Sequence, residues 1–198
     1  MSIAYYVGEN IYLNITNRCT ARCDFCLRRK SDGYGDEESL WLKHEPDADE
    51  VMEAAQIKDW QFASEVVFCG FGEPTMRLEV MLEVAHEMKK QKPDVKLRLN
   101  TNGLGSMLAE RDITSELSVF DAVSVSLNYI DEEQYSLHCR PMFGLKSFNG
   151  ILDFISNLTK HVPKVTLTVI SFLNNDEIAL ARKFAEDLGV EFRIRQVA

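Results

Sequence analysis

The 198-residue sequence predicts an α/β protein, an incomplete (β/α)6 TIM-like barrel with a curved, parallel, six-stranded sheet. Three observations support this fold class. The apolar spacing switches repeatedly between two and about 3.6 residues, which is typical of strands alternating with helices. Several predicted strands carry polar residues on one face, which indicates a wet or ligand-filled interior. The chain is also short for a closed eight-stranded barrel, which commonly needs about 250 residues.

Six segments have the alternation and β-branched content of strands. They are residues 11–16, 66–70, 95–100, 123–128, 165–170 and 192–197. In the fourth segment, for example, Val123, Val125 and Leu127 alternate with Ser124 and Ser126. The apolar set is expected to pack under the helices, so the polar set must face the opposite side of the sheet.

Amphipathic segments separate these strands. The first follows Asp47, and Glu50 stands three residues later as in a capping box. Further apolar stripes cover residues 78–88, 151–158 and 176–188, the last of them followed by Gly189. A weaker helix is predicted over residues 107–117. The result is one predicted domain spanning residues 1–198.

The composition excludes several classes of protein. A net charge of -9 argues against direct binding of nucleic acid, which needs a contiguous basic face. No run approaches the roughly 18 apolar residues of a membrane span, and the amino terminus lacks the pattern of a signal peptide. We therefore expect a cytoplasmic protein with no membrane partner. In that reducing compartment, closely spaced cysteines indicate metal ligation rather than disulfides.

Three cysteines, Cys19, Cys23 and Cys26, follow the first predicted strand within eight positions. Three thiolates from one loop can hold three corners of an iron-sulfur cubane, which leaves the fourth iron open to a chelating ligand. The alternative is a Cys3His zinc site completed by one of the four histidines. That alternative has weaker support because zinc sites of this kind normally show two separate ligand pairs.

Polar motifs end the next three strands. The second strand runs into Gly70-Phe71-Gly72-Glu73-Pro74, where glycines allow backbone carbonyls to approach a ligand and Glu73 can accept from an ammonium group. The third ends in Asn100-Thr101-Asn102-Gly103, and the fourth ends with Ser126 and Asn128. Ligands of parallel α/β folds bind at the edge of the sheet where the carboxyl ends of the strands meet.

The Cys-x3-Cys-x2-Cys spacing, with Phe25 before the last cysteine, resembles the signature of the radical S-adenosylmethionine (SAM) superfamily. The three strand-end motifs are similar to cofactor-binding elements of the same superfamily. The resemblance implies a [4Fe-4S] cluster on Cys19, Cys23 and Cys26, and S-adenosyl-L-methionine cleaved reductively to a 5'-deoxyadenosyl radical. It also implies a reductase such as flavodoxin or ferredoxin. The implied cofactor contacts are Phe25, Gly70, Phe71, Gly72, Glu73, Asn100, Thr101, Asn102, Ser126, Asn128 and Ile170.

Residues 39–42, 68–74 and 139–144 carry a narrower resemblance, to small radical SAM proteins associated with TatD-family nucleases. This resemblance implies a functional link to such a nuclease. The chain is also similar to activating enzymes of glycyl-radical proteins and to 7-carboxy-7-deazaguanine synthase. The first of these favours an alternative reading, in which the enzyme abstracts hydrogen from a glycine of a partner protein. A non-enzymatic alternative is a binding module stabilised by zinc or by a cluster.

A substrate pocket is predicted on the polar strand faces, at Asn14, Arg98, Arg193 and Arg195. Arginines in an acidic protein suggest an anionic small-molecule substrate such as a carboxylate or phosphate. Among the remaining reactive side chains, Cys69 is expected to be a small buried apolar residue. Cys139 is expected in a structured loop, and His138 is the histidine nearest to a motif.

Overall fold

In the computed structural model, which describes residues 2–35, 37 and 39–196, the strands form one sheet in chain order. The seven strands are β1 (Ala4–Val7), β2 (Asn10–Leu13), β3 (Val66–Phe68), β4 (Leu97–Thr101), β5 (Ala122–Asn128), β6 (Lys164–Ile170) and β7 (Glu191–Arg195). Strands β2 to β7 pair in parallel, whereas β1 pairs antiparallel with β2. Within the described residues, β1 and β7 are the two edges, so the sheet does not close.

Helices connect the parallel strands. They are α1 (Ala48–Ile57), α2 (Leu78–Gln91), α3 (Gly105–Leu108), α4 (Glu132–Cys139), α5 (Lys146–Leu158) and α6 (Asn175–Asp187). The predicted capping box of α1 is confirmed, since Asp47 accepts from the Glu50 N–H and the Glu50 carboxylate accepts from the Asp47 N–H. No helix in the described part of the chain is both long enough and apolar enough to cross a bilayer.

The hydrophobic core lies between the sheet and the helices. The alternate residues Leu97 and Leu99 of β4, with Val123 and Val125 of β5, are fully buried there beside Met81 of α2. The intervening positions face the other side of the sheet because side chains alternate along a strand.

The strand register aligns those polar positions in rows across the sheet. Asn100 pairs with Ser124, which pairs with Thr166. One step further along, Ser126 pairs with Thr168, which pairs with Arg193 of β7. The predicted polar interior is therefore a continuous surface contributed by four neighbouring strands.

Several elements differ from the sequence-based expectation. Strand β1 was not predicted; it forms a hairpin with β2 around Gly8, whose φ of +61° suits glycine. The predicted helix 107–117 is wrong, because the chain turns at Glu110 (φ +53°) and Asp112 accepts from the Thr114 N–H and hydroxyl. Helix α4 was also missed. The predicted last strand reached Val197, which lies outside the described residues.

Candidate functional site

The three clustered cysteines lie in the loop after β2, at the edge of the sheet where the parallel strands end. Arg28 closes this loop on itself by donating to the carbonyl oxygens of Asn17 (3.1 Å) and Ala21 (3.4 Å). All three cysteines are partly buried and none is in a disulfide. Because they are partly exposed, the thiols are accessible to a ligand from the cavity described below.

Backbone hydrogen bonds join this loop to the end of α4. The N–H of Arg22 donates to the Cys139 carbonyl (2.9 Å), and the N–H of Asp24 donates to the His138 carbonyl (3.0 Å). A third bond runs from the Met142 N–H to the Thr20 carbonyl (2.8 Å). Three such bonds along five residues resemble a short strand pairing, so they hold the loop in one conformation.

The cysteine sulfurs have hydrogen-bonding neighbours of the kind that support cluster ligands. The Cys19 Sγ accepts from the Ala21 N–H (3.5 Å) and from Asn102 Nδ2 (3.6 Å). Burial, with the nearby Glu73 charge, raises the pKa of Cys19 to about 12. A hydrogen bond with Cys139, together with burial, raises the pKa of Cys23. N–H donors aimed at sulfur stabilise a thiolate once a metal binds it.

Among the described residues, no three His, Cys, Asp or Glu side chains converge on one point as the ligands of one metal ion do. His138 Nδ1 is 2.7 Å from Asp24 Oδ2, and His44 Nε2 is 2.8 Å from Glu50 Oε1. The cysteines of a cubane each bind a different iron and need no such convergence.

A cavity of about 210 Å³ opens beside the three cysteines. Ten of the eleven predicted cofactor contacts line it: Phe25, Gly70, Phe71, Gly72, Glu73, Asn100, Thr101, Asn102, Ser126 and Asn128. The eleventh, Ile170, does not line it; this residue is fully buried in the core. Ser124 and Thr168 also line the cavity and were not predicted as site residues. The sequence signal that could have identified them is their alternation with core residues at every second position of the strand.

Glu73 joins the ends of β3 and β4. Its carboxylate accepts from the Thr101 hydroxyl (2.7 Å) and the Asn102 N–H (2.7 Å), and from both the N–H (3.2 Å) and the hydroxyl (2.8 Å) of Thr75. Burial raises the pKa of this carboxyl, and the four donors partly oppose that shift. Because a buried carboxylate with several donors has little freedom to move, Glu73 holds the two strand ends together.

Two features of the cavity wall suit a bound polar ligand. The Asn100 Oδ1 is buried and has no hydrogen-bond partner within the described residues. An acceptor left unpaired in this way costs about 1–3 kcal/mol, which a donor group of a ligand would recover. Gly72 packs so closely that a Cβ there would lie 2.3 Å from the Thr16 carbonyl oxygen, so only glycine leaves this wall intact.

Two arginines of β7 close the far side of the cavity. Arg195 donates to Asn128 Oδ1 (3.1 Å), and its guanidinium carbon lies 5.9 Å from the centre of the Phe25 ring. Arg193 lies 3.3 Å from the Ser124 hydroxyl. The two guanidinium groups therefore lie beside the Phe25 ring and beside the polar side chains of β5.

A second cavity, of about 620 Å³, adjoins the first and shares Phe25, Cys26, Asn100 and both β7 arginines with it. Aromatic side chains also line it: Tyr5, Tyr12, Tyr34 and Phe71. Its charged lining residues within the described part of the chain are Arg28, Arg193 and Arg195, with no carboxylate among them. This chamber therefore has a positive potential and an aromatic wall.

Asn14, predicted as a substrate contact, does not line either cavity. Its amide donates to the carbonyls of Ser2 (3.2 Å) and Leu40 (2.6 Å), and its Oδ1 accepts from the Phe71 N–H (3.2 Å). The side chain is fully buried. Asn14 therefore ties the segment that contains Gly70 to the amino-terminal part of the sheet.

Arg98 is also absent from both cavity walls. It forms an ion pair with Glu65, the residue just before β3, and both side chains are mostly buried. Arg98 starts near the opposite end of its strand from the cysteine loop, because β4 runs from Leu97 to Thr101. Position along the strand, rather than strand face, excludes it from the site.

Three reactive residues have neighbours that sequence reasoning missed. Cys69 lines both cavities, so it is not simply part of the apolar core. Cys139 is buried at the end of α4 and lies against Cys23. The His138 ring stacks on Tyr129 at 4.9 Å and faces Asp24 in the cysteine loop. His138 is not among the cavity-lining residues, so it acts as a tie between α4 and the loop.

Comparison with known proteins gives a consistent result. Residues 13–185 match the sequence profile of the Radical SAM superfamily. A probable GTP 3',8-cyclase of Thermococcus kodakarensis is 28% identical over 182 residues, covering 91% of this chain and 54% of the relative. A tungsten-containing aldehyde ferredoxin oxidoreductase cofactor-modifying protein of Pyrococcus furiosus is 27% identical over 190 residues, covering 91% and 49%. The chain thus spans about half the length of these curated relatives.

Among solved structures, SuiB of Streptococcus suis bound to S-adenosylmethionine superposes with a TM-score of 0.68 at 15% identity. The match covers 94% of this chain and 38% of SuiB. At that identity, the likeness concerns the fold, a partial barrel with a mostly parallel sheet.

Proposed function

The chain belongs to the radical SAM superfamily, whose cofactors are a [4Fe-4S] cluster and S-adenosylmethionine, and we propose that it binds both at the smaller cavity and acts on an anionic small molecule. When bound and reduced, these cofactors supply a 5'-deoxyadenosyl radical that takes a hydrogen atom from the substrate. The observation that supports this function is the meeting of three cysteines and Phe25 of the same loop with nine strand-end residues around one cavity.

The chain's own residues would bind and orient the cofactors. Cys19, Cys23 and Cys26 bind three irons and leave the fourth without a cysteine. Backbone carbonyls of the Gly70–Gly72 turn would accept from the ammonium group of S-adenosylmethionine, and Glu73 would supply negative charge nearby. Phe25 would contact the adenine.

The polar row at the strand ends would contact the remaining parts of the cofactor. Ser126 and Asn128 bind the ribose or the carboxylate, and Arg195 holds Asn128 in position through its 3.1 Å hydrogen bond. The unpaired Asn100 Oδ1 accepts from a ligand donor. The side chains that fix these groups are themselves hydrogen-bonded, so little rearrangement is needed on binding.

The larger chamber would hold the substrate. Its arginines and its lack of a carboxylate among the described lining residues favour an anion, and the aromatic wall favours a substrate with an apolar or flat part. Of the relatives above, one carries the name GTP 3',8-cyclase, whose named substrate is an anion. We also propose that the chain belongs to the TatD-linked subgroup, that residues 1–198 form a single domain and that the protein is cytoplasmic.

Anaerobic reconstitution tests the cofactor assignment. We expect about four iron and four sulfide per chain, and 5'-deoxyadenosine with methionine after dithionite reduction in the presence of S-adenosylmethionine. The variant with Cys19, Cys23 and Cys26 replaced by alanine is the control and should yield neither. Tightly bound zinc in place of iron, or a loaded cluster that forms no 5'-deoxyadenosine, would contradict the proposal.

The substrate class is tested separately. Replacing Arg193 with glutamine removes one charge from the chamber while the three cysteines are untouched. We expect tighter binding of anionic than of uncharged candidate metabolites by the parental protein, and a loss of that preference in the variant. Transfer of a hydrogen atom from a glycine of a partner protein to the 5'-deoxyadenosyl radical, recovered as label in 5'-deoxyadenosine, would instead support the activating-enzyme alternative.

A further inference from the structure

We propose that the corner between α4 and α5, together with the outer side of the cysteine loop, is the docking surface for an acidic one-electron donor protein. The α4–α5 corner is defined here as residues 137–146. This inference rests on the proposed function, because it assumes that the loop holds a cluster that must be reduced.

The corner lies directly behind the cysteine loop. Its residues 138, 139 and 142 form the three backbone hydrogen bonds with the loop, and Cys139 lies against Cys23. Cys23 also lines the smaller cavity. One side of the loop thus faces the cofactor cavity and the other faces the corner, so an electron entering through the corner has a short path that does not cross the substrate chamber.

The corner exposes large apolar side chains. Leu137 is 60% exposed, Met142 is 64% exposed and Leu145 is 56% exposed. Between them, Cys139 and Pro141 are buried and make the corner a firm surface. Exposed apolar groups grouped within nine residues are typical of interaction surfaces, whereas single exposed ones are not informative.

The charge of this region is opposite to that of the whole protein. Residues 19–26 and 137–146 together contain three Lys or Arg residues and one Asp, a formal charge of +2, in a chain of net charge -9. The single acid, Asp24, is engaged by His138. Arg22, Arg140 and Lys146 are exposed, and none has an ion pair among the described residues. Arg18 in contrast is paired with Glu45.

These properties favour an acidic redox protein over other occupants. A negatively charged donor is repelled by most of this molecule and attracted to this one region, which steers it towards the cluster. Electron-transfer encounters also bury less than about 1,200 Å², so a small apolar centre with a cationic rim is sufficient.

The test measures the rate of cluster reduction in the reconstituted holoenzyme. The probe is a reduced flavodoxin of strongly negative net charge, and the readout is the bleaching of cluster absorption in an anaerobic stopped-flow experiment. The double variant Arg140→Glu/Lys146→Glu should lower the second-order rate constant at least tenfold at low salt. The difference should shrink as salt increases towards 0.5 M, because screening weakens steering.

Matched controls separate docking from damage to the site. Lys183→Glu reverses an exposed charge on α6 and should leave the rate unchanged. At the corner, Leu145→Ser should also lower the rate constant, whereas Phe62→Ser, which removes an apolar group that is 89% exposed elsewhere, should not. Iron content and reduction by dithionite should be unchanged in every variant. The single variants Arg140→Glu and Lys146→Glu are measured separately if the double variant does not load a cluster.

Three results would overturn the inference. The corner variants could accept electrons at the parental rate, or the Lys183→Glu control could lose as much rate as they do. The variants could also keep normal reduction by flavodoxin while losing turnover, which would make the corner a substrate surface. Absence of any cluster in the parental protein would refute the proposed function itself, and the iron and sulfide assay detects that outcome first.

Discussion

Replacing Gly72 with alanine tests whether the turn after β3 and the cysteine loop must be in close contact. An ideal Cβ at this position would lie 2.3 Å from the Thr16 carbonyl oxygen and 2.5 Å from that of Arg18. Since ordinary carbon–oxygen contacts are about 3.3 Å or longer, one segment must move by about 1 Å. Both contacted atoms are backbone, so no side chain can rotate away.

The movement has a cost in stability and in cofactor binding. Overpacking of this kind costs about 1–3 kcal/mol, and it also strains the 2.8 Å hydrogen bond from the Glu73 N–H to the Arg18 carbonyl. For a chain of this size, about 2 kcal/mol corresponds to a melting temperature lower by about 4–8 °C. Arg18 directly precedes Cys19, so we also expect weaker retention of iron and at least tenfold weaker binding of S-adenosylmethionine.

Three measurements check this prediction: thermal unfolding of the apoprotein, iron and sulfide per chain after reconstitution, and equilibrium dialysis of S-adenosylmethionine. Gly150→Ala is the matched control. Its Cβ would meet the flexible end of Met107, which can move, and alanine favours the α5 helix in which Gly150 lies. If the Gly72→Ala and Gly150→Ala variants had the same melting temperature and the same affinity for S-adenosylmethionine, the close contact of Gly72 with the cysteine loop would have no functional importance.

Three further predictions follow from the geometry. Glu73→Gln turns one acceptor into a donor among four donors, so the free energy of unfolding should fall by about 1–3 kcal/mol and dialysis should show weaker binding of S-adenosylmethionine. Asp121→Asn should cost about 1 kcal/mol at pH 7, measured by urea unfolding, because Asp121 accepts from the Lys89 ammonium at 2.8 Å. Burial raises the pKa of Asp121, but the hydrogen bonds from Lys89 and from the Leu97 N–H outweigh burial and lower the pKa overall. The contribution of the Asp121 carboxylate to the free energy of unfolding is therefore complete above about pH 4 and is lost as the pH falls further. Cys139→Ala should retain iron after reconstitution, whereas Cys23→Ala should lose it, because only Cys23 belongs to the ligand loop.

Each of these has a control that shares its chemistry. Glu79→Gln on the exposed side of α2 should leave cofactor binding unchanged, and Asp153→Asn on α5 should show no comparable dependence on pH. An Asp121→Asn defect that persisted undiminished at pH 3 would refute the charge-based explanation. Loss of iron from Cys139→Ala, equal to that of Cys23→Ala, would mean that the thiol beside Cys23 takes part in ligation.

The order of elements and the location of the cysteine loop were predictable because the information is local. Six strands and four helices appear in the sequence as runs with a period of two or 3.6, and the three cysteines are within eight positions. The motif residues lie together around one cavity because the carboxyl ends of parallel strands meet at one edge of a sheet. Strand β1 was missed because only four residues, including the exposed Tyr6, form it.

The partners of individual polar side chains were not predictable. Asn14 and Arg98 have the correct alternation for the interior face, but Asn14 satisfies three backbone groups and Arg98 pairs with Glu65, the residue just before β3. Cys139 comes to lie against Cys23 although 115 positions separate them in the sequence. Such contacts depend on strand register and on how α4 packs.

The sequence by itself therefore determined the partial barrel, the cysteine loop and the set of residues at the strand ends. Only the tertiary structure divided the interior into a cofactor cavity and a cationic, aromatic chamber, and only it brought the α4–α5 corner behind the cysteine loop. The physical reason is that periodicity and spacing act within one segment. The shape and charge of a cavity arise instead from side chains of many segments, whose mutual distances are set when the whole sheet and its helices pack.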